Sequence, residues 1–191
     1  MARWLYVIIL ALLSTLAVAC GAAGAAHVAE ARVVGLPPAE ARATLIPAGV
    51  TGFEACPVTL PGEELFTPPP PYPPRAPYGE RFWYGSEALW TSLPANGHWP
   101  QLARGDKVFW WRTGYDPSGE PQPQLWMTAR RLDGDGVARE DPPATNAYHR
   151  DFHWAMLAGF QVPSTGCWEI TGHYERDGRE EALAFVVWVG K

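Results

Sequence analysis

The chain has 191 residues, with 15 Lys and Arg against 20 Asp and Glu and a net charge of −5. Lacking a basic stripe, it is a poor partner for nucleic acid, whose phosphates are bound by clustered Lys and Arg. Its 20 Pro and 19 Gly point to many turns and few long helices, and nine of its ten Trp lie beyond residue 80, an aromatic load able to build a core from relatively few residues.

Residues 1–20 open with Arg3, continue as an apolar run to Leu16 and close on Ala17-Val18-Ala19-Cys20. Charged, apolar and small residues in this order form an export signal; the run is short of the roughly 20 apolar residues that a membrane-spanning helix needs. The end of the segment resembles the lipobox of bacterial lipoproteins, which makes Cys20 the first mature residue and a lipid-attachment site. It departs from that motif at Ala17, where Leu is usual. One acyl chain holds a membrane weakly, whereas a diacylated Cys20 would anchor stably. Residues 1–19 are therefore read as a signal peptide, 20–49 as an Ala/Gly-rich tether and 50–191 as a β-sandwich domain. The expected location is the bacterial cell envelope, with the membrane reached through lipidated Cys20 and plain secretion as the alternative.

With Cys20 lipidated, Cys56 and Cys167 remain, in an exported chain where disulfides persist. Their pairing would close a loop of over 100 residues, for which the chain-entropy model gives about 4–5 kcal/mol. Two free thiols are the alternative. Metal binding by cysteine lacks a Cys-x-x-Cys motif.

Phe53–Leu60 is expected as the first strand of the domain, at a sheet edge because Pro57 cannot donate to a ladder. Thr67–Pro77 is dominated by proline, so it should be polyproline II or an ordered loop packed on the surface. Strands are expected at Phe82–Tyr84, Ala88–Leu93, Lys107–Arg112 and Gln124–Leu132, the last ended by Asp133-Gly134-Asp135-Gly136. Asn96-Gly97 marks a turn. Phe152–Phe160 carries no clear pattern, and Gly159–Pro163 is a weaker strand candidate. From Gly166 to Tyr174 the side chains alternate, with Trp168, Ile170 and Tyr174 on one face and Glu169, Thr171 and His173 on the other. Arg176–Arg179 turns the chain, and Ala182–Val189 is apolar on both faces, so its outer side needs a cover. Phe53–Leu60 or the proline-rich segment could supply it. Short strands and long turns argue for an all-β, immunoglobulin-like antiparallel sandwich. If Trp168 and Ile170 face the core, Cys167 points away from it, and its disulfide would clasp the opening segment to the outside of a sheet.

The final two strands, Gly-x-Trp-x-Ile-x-Gly from Gly166, an Asp-Gly turn and an apolar strand, resemble the end of bacterial immunoglobulin-like domains. Further pieces are Cys56-Pro57-Val58-Thr59, Leu89-Trp90-Thr91, Lys107-x-x-Trp110-Trp111-Arg112, Arg130-Arg131-Leu132-Asp133 and Gly159-Phe160-Gln161. Together they are similar to a family of uncharacterised bacterial secreted proteins, many with lipoprotein-type signals. That resemblance implies a common fold and the cysteine pair, and carries no catalytic residues.

Candidate chemistry is sparse. His149 and His153 stand at i and i+4, which on a helix would allow a shared metal, but Arg150 replaces the Glu of the zincin pattern. From Asp133 an EF-hand would need ligands at Val137 and Ala144, so a hairpin turn fits better than calcium. Ser92, Ser118 and Ser164 lack a nucleophile motif, and Glu180-Glu181 beside a turn reads as solvated. No cofactor or metal is expected. Trp110 and Trp111 are adjacent in a strand and must face opposite sides, as must neighbours in Phe82-Trp83-Tyr84. Exposed aromatics can stack on sugars or anchor proteins; alternatively, the tether and proline-rich segment cover them. The leading expectation is a non-catalytic, lipid-anchored envelope protein with an interaction or structural module. The alternative is a carbohydrate-binding module using Trp83, Trp110, Trp111 and Arg112.

Overall fold

In a computed structural model of the chain, residues 52–140 and 143–190 are described. The signal segment, Cys20 and the tether lie outside them. The first strands are β1 (Arg81–Gly85), β2 (Trp90–Pro94) and β3 (Asp106–Trp111). They are followed by β4 (Leu125–Arg131), β5 (Val137–Arg139), β6 (Thr145–His149), β7 (His153–Phe160), β8 (Gly166–Arg176) and β9 (Arg179–Val189). One sheet has the order β1-β2-β3-β7-β6 and the other β5-β4-β8-β9; every strand pair is antiparallel.

This strand order is that of an immunoglobulin-like sandwich. The series β2-β3-β7-β6 stands where such domains place A-B-E-D, and β5-β4-β8-β9 stands as C′-C-F-G. β1 is an extra strand added outside β2. The β8–β9 hairpin turns on Asp177-Gly178, with φ of 52° and 72°, the paired left-handed residues of a tight two-residue hairpin.

Between the sheets lies a core that includes Trp110, Trp168, Ile170, Met127, Met156 and Phe185. Trp110 is wholly buried and reaches across to Gly172 of β8. A Cβ on Gly172 would lie 2.2 Å from the Trp110 ring. β3 and β8 hold the positions that antibody domains join with their inter-sheet disulfide; here an indole laid on a glycine fills that space. Trp111 points the opposite way, into a second cluster with Trp83, Trp90 and Phe152 on the outer face of the first sheet. The alternation expected of adjacent strand residues is thus realised.

Segment 52–79 forms a strap over both outer faces. Its proline-rich part is an ordered loop with a turn at Pro69–Tyr72, and it places Phe66, Tyr72 and Ala76 on the outer aromatic cluster. Trp83 donates its indole N–H to Pro73 O at 2.9 Å. The earlier part crosses the second sheet, where Cys56 and Val58 pack with Leu132, Cys167, Val186 and Trp188. Cys56 and Cys167 form a disulfide with Cα atoms 5.5 Å apart. As strand parity requires, it lies on the outer face, opposite the Trp168 and Ile170 core.

Three expectations change. Phe53–Leu60 is not a strand: Phe53–Ala55 is a short 3₁₀ turn, and Pro57 and Pro61 interrupt any run of donors. The segment's hydrogen bonding to the backbone N–H and C=O of the β9 edge runs through Thr59. Thr59 N donates to Val186 O at 2.8 Å and Val186 N donates to Thr59 Oγ1 at 2.9 Å. β5 and β6 were not anticipated, being short and at sheet edges. Finally, His149 and His153 are not on a helix but are cross-strand partners in the β6–β7 hairpin.

Candidate functional site

The aromatic residues singled out from sequence are structural. Trp83 is 3% exposed, and Trp110 and Trp111 are 0%. Of the two readings of these rings, exposed for stacking or covered by the proline-rich segment, the structure has the second for Trp83 and Trp111, over which the strap closes, while Trp110 fills the gap over Gly172. Arg112 is also buried. Its guanidinium donates to Tyr174 Oη at 2.7 Å, to Thr113 O at 2.9 Å and to Glu120. Tyr174 in turn donates to Glu120 Oε2 at 2.6 Å. Burial, with that carboxylate beside it, pushes the Tyr174 phenol up to about 12. The arrangement ties the long β3–β4 connection to β8 and engages all three nitrogens of Arg112.

The two histidines of the β6–β7 hairpin are also engaged by aromatics. His149 stacks on Phe152 with ring centroids 4.1 Å apart, and His153 meets the edge of Tyr72. Among the described residues no group of three or more His, Cys, Asp and Glu gathers to hold a metal. Asp133 accepts from Arg131 Nε at 2.7 Å, an ion pair beside the β4–β5 turn. The aromatic pair left in solvent is one that sequence did not mark: Tyr148 and Trp154, 59% and 40% exposed, opposite each other in the β6–β7 pair. Alternation alone does not reveal them, because they sit on inward-facing positions beyond the reach of the second sheet.

The richest open surface is the outer face of β5, β4 and β8. Strand register arranges it in rows. Trp126 lies opposite His173, Thr128 opposite Thr171 and Arg130 opposite Glu169, while Arg139 and Val137 extend the second and third rows onto β5. Alternation places these residues on one face because their neighbours Met127, Ala129, Ile170 and Gly172 face inward. Trp126 and His173 stack with planes 2° apart. Arg130 donates to Glu169 at 2.8 Å. A groove of about 470 Å³ follows Thr128, Arg130, Arg139 and Thr171.

His173 is held from two sides, Nδ1 lying 2.7 Å from Glu180 Oε1 and Nε2 3.1 Å from Thr128 Oγ1. Hydroxyl, imidazole and carboxylate in this order have the connectivity of a nucleophile, its base and the group that orients it. Acyl transfer further needs donors aimed at a developing oxyanion. Thr128 sits in an interior strand, paired with Arg139 on one side and Thr171 on the other, so the amides around it are committed to the ladder. What the arrangement does provide is an imidazole held at both ring nitrogens on a mixed-charge surface.

No protein-family model matches the chain, and neither a curated protein nor a solved structure matches it. The immunoglobulin-like assignment therefore stands on strand order and register within this chain.

Proposed function

We propose that this is a non-catalytic, lipid-anchored protein of the bacterial cell envelope whose immunoglobulin-like domain holds a partner on the outer face of β5, β4 and β8. The observation that carries the interaction role is the distribution of cover. The strap and disulfide bury the apolar outer surfaces, while the rows from Trp126–His173 to Arg130–Glu169 stay open with their polar side chains fixed by one another. Fixed side chains lose little conformational entropy on binding. Export is supported by the 1–20 signal pattern and by the Cys56–Cys167 disulfide, a bond that persists in oxidising compartments. The similarity to bacterial secreted proteins with lipoprotein-type signals points the same way.

The glycan-binding alternative loses Trp83, Trp110, Trp111 and Arg112 as its contact residues because all four are buried. Sugar recognition would have to use other groups.

Fractionation with mass spectrometry tests the anchor. The mature chain should partition with membranes and begin at a diacylated Cys20, and Cys20→Ala should release it to the soluble fraction. An unmodified mature N-terminus at Cys20 would defeat the anchor.

A further inference from the structure

We propose that Asn96 is a site of spontaneous deamidation, and that the isoaspartyl linkage formed there releases the latch on the edge of β9. The chain has two asparagines; Asn96 is followed by Gly97 and Asn146 by Ala147. Asn96 is exposed, in a turn closed by Gly97 N donating to Pro94 O at 3.0 Å. Its side chain is fixed over the following backbone: Oδ1 accepts from His98 N at 3.0 Å, the arrangement by which a short amide caps its own turn. Three features direct the reaction. Gly97 N is the adjacent nucleophile, and Gly97 has no Cβ to block its approach. The His98 N–H already sits on the oxygen where negative charge develops when the side-chain carbonyl is attacked, as an oxyanion donor does. Exposure brings water to the leaving amide. Gly97 N–H first leaves Pro94 O, a local opening of the turn.

Gly97 N gives its proton to hydroxide and bonds to Asn96 Cγ. The Cγ–Nδ2 bond breaks, and the amide nitrogen departs as ammonia with a proton from water. Water then opens the succinimide at either carbonyl; nothing is oxidised or reduced. One product is an aspartyl residue at position 96. The other is isoaspartyl, whose main chain runs through Cβ and Cγ and is one atom longer. That atom enters where the fold has no slack. Gly97 has φ of +71°, and a Cβ on it would lie 2.7 Å from Val58, which packs with Cys56, Cys167 and Val186. Gly97 O accepts from Trp188 N, and Trp99 N donates to Trp188 O, both at 2.9 Å, around the His98–Trp188 bridge. Lengthening the chain just before Gly97 N breaks the register of residues 97 and 99 with Trp188. The N–H and C=O of Trp188 are then unpaired, while the disulfide keeps the strap attached. The modified protein gains an open strand edge, a template on which another chain can pair.

Incubation of the folded, oxidised chain at mildly alkaline pH, followed by peptide mapping with isoaspartyl-sensitive fragmentation, tests the proposal. Ammonia should be lost at Asn96 at least about tenfold faster than at Asn146, with isoaspartyl the larger product. Hydrogen exchange on the separated isoaspartyl species should show Trp188 N–H exchanging at least about tenfold faster than in the parent, with β4 unchanged. Asn96→Gln, whose longer side chain must close a larger ring, should stay unmodified and keep Trp188 protected through the same incubation. Freshly prepared Asn96→Asp carries the charge without the extra atom and should exchange like the parent. Loss at Asn96 no faster than at Asn146 in the folded chain overturns the proposal, as does an aspartyl-only product. Parent-like exchange at Trp188 in the isoaspartyl species overturns it too. So does fast exchange in fresh Asn96→Asp, because charge rather than chain length would then open the edge.

Discussion

At the level of single residues, chemistry that looks functional in sequence is often already committed to packing. Adjacent tryptophans show why parity is legible and exposure is not. Alternation tells that Trp110 and Trp111 face opposite sides, but a strap distant in sequence decides whether the outer ring sees water. The Trp110–Gly172 contact is likewise invisible until β3 and β8 are placed across the core. It gives a sharp expectation. Gly172→Ala puts a methyl 2.2 Å from a wholly buried indole, and overpacking of this kind costs about 1–3 kcal/mol; urea denaturation should show the unfolding free energy fall by that amount, through a lower midpoint at unchanged slope. Glu140 gives a second. Among the described residues its buried carboxylate oxygens make no close hydrogen bond, and burial, partly offset by the Met127 backbone, raises its pKa from 4.5 to about 7. A raised carboxyl pKa means that the folded state holds the proton more tightly than the unfolded chain does. The stabilising contribution is complete below about pH 4.5 and is lost as pH rises through about 7. Glu140→Gln should therefore raise the melting temperature at pH 8 relative to the parent, with little change at pH 4.5. Parallel melting curves across that range would refute the assignment.

At the level of elements, strands with strong alternation or a continuous apolar run were legible: β3, β4, β8 and β9 lie close to where sequence places them. β5 and β6 were not, because three to five residues at a sheet edge are too short to show an alternation distinct from a loop. Phe53–Leu60 failed for a different reason. Its apolar content is real and does cover β9, as expected of a segment needed by a strand apolar on both faces, but its prolines prevent a ladder. The cover is instead secured by the disulfide, the Thr59–Val186 hydrogen bonds and Val58. The free edge of β9 is further capped at Trp188, whose N–H donates to Gly97 O and whose carbonyl accepts from Trp99 N, both at 2.9 Å. Capping an edge in this way removes a template for aggregation. The double replacement Cys56→Ser and Cys167→Ser should cost about 2–5 kcal/mol and bring deuterium into Val186 and Trp188 before the interior strand β4. Equal protection of β9 in the parent and the double variant would show that the strap holds without its covalent tie.

At the level of the whole molecule, the location of the disulfide determines how a tethered domain bears load. Tension applied through the chain N-terminal to residue 56 meets the covalent bond at Cys56. The bond passes that load directly to Cys167 at the start of β8, an interior strand flanked by β4 and β9. The strap beyond Cys56, together with β1 to β7, lies inside the covalent loop and is shielded from tension. That role was only half legible: parity in the sequence places the bond outside the core, but the position of Cys167 in the sheet requires the topology. Single-molecule pulling between residue 52 and the C-terminus provides the measurement. With the bond intact only the residues outside the loop can extend. Reduction should release the 111 residues of sequence separation, which at about 3.3–3.6 Å each lengthen the unfolded chain by roughly 370–400 Å. If contour lengths under oxidising and reducing conditions coincide, the bond is absent from the loaded protein, and the strap rather than the disulfide must carry the force.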